Sequence, residues 1–136
     1  MVNDEARIIL DENILGTIAT VNQDGSPWST PIHVFSDNDA VYWFSHLDTQ
    51  HSLNIESDPR VSLSLFSPDT STGPKAVYVN GSASKLDVDE TTKAVKLMVV
   101  KFGKVPAFYE QATAYRLPIG ELNRGKSYGN CWYFYT

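Results

Sequence analysis

A chain of 136 residues is long enough to bury the core of one domain, and 42% hydrophobic with 20% charged residues are ordinary proportions for a globular protein. A formal net charge of −5, with no run of lysines or arginines, excludes nucleic-acid binding through a basic face. No apolar run approaches the roughly 20 residues of a membrane helix. The acidic start MVNDEARIIL lacks the marks of a signal peptide, so a cytoplasmic protein without membrane contact is expected. The single cysteine, Cys131, excludes an internal disulfide and a cysteine-based zinc site, and between Asn130 and Trp132 it reads as a buried, inert thiol.

Residues 4–14 suit an opening helix, capped by Asn3 or Asp4 and followed by Gly16, with Ile8, Ile9 and Leu15 docked on a sheet. The β-branched run TIATV (17–21), the turn signal NQDG and a second run from Trp28 to Phe35 predict a hairpin. VYWFS (41–45) reads as a strand buried on both faces. Asp48 or Thr49 then caps a short helix that Pro59 must end, with Leu47, Leu53 and Ile55 able to point inward. RVSLSLF (60–66) alternates strictly, which predicts a half-buried antiparallel strand.

The segment 67–75 has a loop composition, and AVYVNGSASKLD is a strand in which Gly81 suggests a bulge or bend. DETTKAVKLMVVKFG is a helix closed by Gly103, a short turn around PAFYEQAT follows, and the tail returns as one or two strands. No repeat or composition break divides the chain, so residues 1–136 are expected to form a single domain. The predicted fold class is mainly β with inserted helices (α+β), a small antiparallel six-stranded split β-barrel, since closure removes exposed edges.

The chemistry concentrates where the third strand gives way to the short helix. A helix N-terminus offers backbone N–H groups and a positive dipole end to an anion. Ser45, His46, Thr49, Gln50 and His51 add hydroxyls, an amide and imidazoles at that point; the same residues also serve simply as caps and solvated surface. The strand STPIHV offers backbone groups to a flat heterocycle at the irregular point made by Pro31, with Trp28, Ile32, Trp43 and Trp132 as apolar walls or as ordinary core. The histidines at 33, 46 and 51 match no familiar metal-ligand spacing, and no G-x-S-x-G or paired acids point to hydrolysis.

The elements LGTIATVNQDGSPWSTPIHV, VYWFSH and DTQHSLNIESDPRVSLSLF resemble the pyridoxamine 5′-phosphate oxidase-like FMN-binding split-barrel family, in its general-stress-protein or oxidase-related branch. The resemblance implies a homodimer with two FMN sites at the subunit interface. It implies that Ser29, Thr30, Pro31, Ile32, His33 and Val34 run along the flavin ring with backbone contacts. Phe44 and Ser45 would lie near the ribityl chain and phosphate, and Thr49, Gln50 and His51 would hold the phosphate. Ala76 to Tyr78 and Trp132 would approach the site, from the same or the partner subunit.

The chain also departs from that pattern. Ser29 and Val34 stand where the oxidases carry arginine and lysine, and Gln50 and His51 replace an Arg-Lys pair. No convincing match to the oxidases' substrate-clamping arginine and histidine occurs in RGKSYGNCWYFYT. The expectation is therefore an FMN-binding flavoprotein, an oxidoreductase of unassigned substrate with no catalytic side chain identified, and not a true pyridoxamine-phosphate oxidase. The alternatives are a non-catalytic protein of the same fold holding FMN, a deazaflavin or haem, and a cofactor-free interaction module.

Overall fold

The structure, a computed structural model, describes residues 4–122 and 130–136, without the side chains of Phe108 and Asn130. Helix α1 (Asp4–Glu12) precedes β1 (Leu15–Val21), β2 (Pro27–His33), β3 (Phe35–Ser36) and β4 (Ala40–Ser45). Helix α2 (Gln50–Ser57) leads into β5 (Arg60–Phe66), β6 (Lys75–Ser82) and β7 (Ser84–Lys85). Helix α3 (Val88–Phe102) and a 3-10 turn at Ala107–Tyr109 precede β8 (Thr113–Pro118), β9 (Glu121–Leu122) and β10 (Asn130–Tyr135). Asn3, one of the two expected caps of α1, and the tail segment 123–129 lie outside the described residues.

Two sheets share these strands, one in the order β2-β1-β5-β6-β10-β9 and the other in the order β3-β4-β8-β7. Two of the passages between them are made by single residues, Val34 and Ala83, and both are pinned. Val34 N–H donates to Ile14 O at 2.9 Å, and Ala83 N–H donates to Pro59 O at 2.8 Å. This is the expected split barrel, with one difference: β10 pairs with β6 in parallel, Trp132 opposite Val77, while the other ladders are antiparallel.

The β1–β2 hairpin closes as its turn chemistry requires. Gly25 takes φ +85, a conformation costly for any residue with a Cβ, while Asp24 accepts from Ser26 N–H at 3.0 Å. All six residues of β4 are buried because the strand divides two cores. Trp43 packs on one side with Ile18, Leu63, Val79 and Phe134, stacked on Tyr115 at 5.8 Å. Tyr42 and Phe44 face the other side, under Ala94 and Met98 of α3. Alternation of side chains along an extended strand makes both statements true at once.

Four apolar residues expected inside lie outside: Ile8, Leu15, Leu47 and Leu53 are each about half exposed. Ile9 and Leu10 dock α1 instead, and α2 buries Ser52, Asn54 and Ile55. Gly81 makes no bulge, since its register opposite Val61 is unbroken. Its lack of a side chain admits Thr136, whose Oγ1 a Cβ would strike. Gly120 is tighter still, because a Cβ there would overlap the backbone carbonyl of Tyr135. Gly120→Ala is therefore expected to push the β8–β9 connection off β10 and cost about 1–3 kcal/mol, read as a lowered midpoint in thermal unfolding.

Candidate functional site

Strand β4 delivers Ser45 to its end, buried, and the turn 46–48 returns the chain into α2. Thr49 is the N-cap, with φ −71 and ψ 152, and its hydroxyl accepts from Ser52 N–H at 3.4 Å. The same oxygen lies 2.9 Å from His46 O and 2.7 Å from Ser52 Oγ. Of the two expected caps, Thr49 takes the role and Asp48 stays exposed. Losing this cap should cost about 1 kcal/mol. Thr49→Ala should accordingly lower stability in a denaturant titration by that amount, and Thr49→Ser should restore it.

The half-buried His51 lies in the first turn of α2, with Nε2 2.7 Å from Ser45 Oγ and 3.4 Å from Thr49 Oγ1. Burial alone pushes its imidazole below the ordinary histidine range, so the ring is neutral near pH 7. No acidic residue stands in the first turn of α2. Two hydroxyls, an imidazole and the free N–H groups of a helix start therefore converge without a negative charge among them, a donor set that fits a phosphate. Gln50 belongs to the same turn, but its amide donates to Asn54 Oδ1 at 2.9 Å.

Asn54, to which the sequence alone assigns no role, fixes the helix from beneath. It is 1% exposed, and its Nδ2 donates to Thr20 Oγ1 at 3.0 Å and to Asn22 Oδ1 at 2.8 Å. These bonds tie α2 to β1 and to the hairpin turn. A polar residue next to Ile55, on the side of the helix that Ile55 buries, was the available signal.

Beside this cluster runs β2, the edge of its sheet. Since Val34 N–H points to Ile14, alternation turns the ladder groups of Ile32 and Thr30 toward β1. It leaves the N–H and C=O of Ser29 and the C=O of Pro31 facing away from β1, in the direction a planar ring with donor and acceptor edges would occupy. The side chains of Ile32 and Val34 are core, whereas Ser29, Pro31 and His33 are exposed and Thr30 is half-buried. His33 makes an edge contact with Phe102 at 6.2 Å.

Three expected participants sit elsewhere. Phe44 turns its ring away under α3, stacked on Phe35 at 5.8 Å and edge-on to Tyr109 at 4.7 Å. Trp43 is sealed in the core and is not available as a wall of the slot. Trp132 lies on β10, four strands from β2, and borders a separate cavity of about 430 Å³ beneath α1, with Ile8, Ile9 and Lys75. Among the described residues of one chain the site is thus open: hydroxyl, imidazole and backbone donors at the start of α2 beside an outward-facing strand edge, with nothing lying over them.

No curated protein matches this sequence. Among solved structures the fold is similar to a haem-binding protein from Mycobacterium smegmatis (23% identity, TM-score 0.73, 86% of this chain and 52% of that one). It is also similar to an FAD-binding protein from Mesorhizobium loti (20%, TM-score 0.69, 89% and 91%) and to an F420 reductase (20%, TM-score 0.66, 86% and 95%). At these identities the likeness establishes the fold, and the chain spans about half the length of the mycobacterial protein. Residues 2–118 match the family described as Pyridoxamine 5′-phosphate oxidase, and with that the chain belongs to the pyridoxamine 5′-phosphate oxidase-like family.

Proposed function

We propose that the protein binds a flavin phosphate, FMN, with the phosphate on Ser45, Thr49 and His51 and the ring along the outward backbone edge of β2. The observation that carries this reading is the side-chain cluster at the start of α2, uncharged but rich in donors, beside an unpaired strand edge. Bound FMN would supply hydride and electron transfer, and the protein would supply orientation and electrostatic tuning. We infer an oxidoreductase role on a small-molecule substrate from that chemistry.

The cover for the open site is a second copy of the chain. The outer face of β1 and β5 presents the small residues Thr17, Ala19, Ser62 and Ser64, and at its rim the exposed Leu15 and Phe66. Continuing the β1–β5 register from Thr17 opposite Ser64 brings Leu15 beside Phe66. Small side chains on a flat face with an apolar pair at one end suit packing against another sheet. A homodimer would place the partner's surface over each flavin.

The test is the absorption spectrum of the purified protein with and without added FMN, together with its mass in light scattering. Bound flavin bands and twice the chain mass are expected. Thr49→Ala should weaken FMN binding by about tenfold to a hundredfold, since a hydroxyl donor to a charged oxygen contributes about 1.5–3 kcal/mol. A protein that takes up haem or a deazaflavin in preference to FMN would favour the non-catalytic alternative. That alternative draws support from the lack of a permanent positive charge at Gln50 and His51.

A further inference from the structure

Resting on the flavin-phosphate reading, we infer that His51 is a proton-coupled switch in the phosphate site, binding the ligand with uptake of one proton that its hydrogen bond to Ser45 converts into an outward-facing hydroxyl donor. The geometry is specific. Ser45 Oγ is buried and has no hydrogen-bond partner among the described residues other than His51 Nε2, at 2.7 Å. In the neutral Nδ1–H tautomer, Nε2 accepts the Ser45 hydrogen, which satisfies the buried hydroxyl and the half-buried ring nitrogen together. The hydroxyl hydrogen then points at the imidazole and not at a ligand.

Protonation reverses the pair. Nε2–H now donates to Ser45 Oγ, and the Ser45 hydrogen must rotate to another acceptor. With an anion at the start of α2, that acceptor is a phosphate oxygen, and the imidazolium adds a charge next to it. The proton comes from solvent and no covalent bond changes. Without an anion the charged ring is disfavoured, because burial depresses its protonation and no carboxylate offsets this. Ligand and proton therefore bind together, each raising the affinity for the other.

The surroundings leave this role to His51. On α2 itself, Gln50 is neutral and Glu56 is held by Lys85 at 2.7 Å, while Asp58, just past its end, is held by Arg60 at 2.7 Å. The β4–α2 turn carries His46 and Asp48, both exposed. β8 places Thr113 opposite Ser45, and its Arg116 interacts with Tyr42 on the other face of β4. β1 has no titratable residue, and β2 has His33 alone, turned to Phe102. An Arg-Lys pair would hold phosphate with a charge independent of pH, whereas this site acquires its charge on binding.

The sign follows from the depressed histidine. FMN affinity should rise as pH falls from 8.5 toward 7, by at most about tenfold per unit, for as long as the phosphate stays a dianion. Calorimetry of FMN binding at pH 7.5, in buffers of different ionisation enthalpy, measures the proton directly. Wild type should take up between about half and one proton. His51→Gln should take up none and bind with pH-independent affinity. His51→Lys should also take up none, and at pH 8.5 should bind FMN at least as tightly as wild type. The C–H resonance of His51, assigned with the glutamine variant, should move to the imidazolium position on addition of FMN, a change that a purely structural histidine would not show. Binding without uptake, or equal uptake by His51→Gln, would overturn the inference while leaving the flavin reading intact. Failure of wild type and His51→Lys to bind FMN at any pH would remove the flavin reading and this inference with it.

Discussion

Asn54→Ala is expected to be the most damaging single change to the site that touches no ligand. The substitution deletes three hydrogen bonds, to Thr20, Asn22 and Gln50, and leaves the hydroxyl of Thr20, itself 3% exposed, without its donor. An orphaned buried polar group costs about 1–3 kcal/mol, and the cavity from the lost amide adds to it. A loss of about 2–3 kcal/mol follows, or roughly 6–12 °C in thermal midpoint for a chain of this size. FMN affinity should fall as well, because these bonds fix α2, and with it Thr49 and His51, against the hairpin that carries β2. Asn54→Asp should rescue neither property, since a buried carboxylate cannot donate to Thr20 and Asn22. Unchanged stability with unchanged FMN binding would show that the amide is incidental.

His51→Glu is expected to separate folding from binding. A carboxylate in the first turn of α2 favours the helix dipole and can accept the Ser45 hydroxyl, so stability should stay within about 1 kcal/mol of wild type. The same carboxylate would face the ligand phosphate. Two like charges about 4 Å apart at a protein surface repel by about 4 kcal/mol before screening, so FMN affinity should drop by about a hundredfold or more. Binding of riboflavin, which lacks the phosphate, should be unaffected. A fluorescence titration with each flavin reads both outcomes. An equal loss for both flavins would place the phosphate away from His51.

The parts of this fold that were legible in the sequence are those governed by local rules. The strict alternation of Arg60–Phe66, the Asp-Gly turn at 24–25, the capping threonine at 49 and the glycine stop at 103 each follow from backbone chemistry within a few residues. The burial of β4 on both faces was also legible, from an unbroken apolar run. The inward face of α2 was legible only in part. Of the three positions expected inward, Ile55 is buried but Leu47 and Leu53 are not, because the space beneath the helix also holds the hydrogen bonds from Asn54 to β1, and hydrophobic periodicity carries no trace of such a network. The parallel pairing of β10 with β6 joins residues more than 50 positions apart, so neither it nor the resulting place of Trp132 is written in any local pattern.

The candidate site divides the same way. Thr49, His51 and Ser45 were identified by residue type and converge within hydrogen-bonding distance. The contribution of β2 is carried by its backbone, and only the register with β1 reveals that Ser29 and Pro31 turn their peptide groups outward while Ile32 and Val34 fill the core. Phe44 sits next to Ser45 in sequence but on the opposite face of β4, as the two-residue period of a strand dictates.

The central claim is that the start of α2 holds a flavin by its phosphate. Parallel titrations of the wild-type protein with FMN and with riboflavin at pH 7.5, followed by flavin fluorescence, test it most directly. FMN should bind at least about tenfold more tightly than riboflavin, which corresponds to about 1.4 kcal/mol from the phosphate alone. Equal affinity for the two flavins, or no affinity for either, would contradict it.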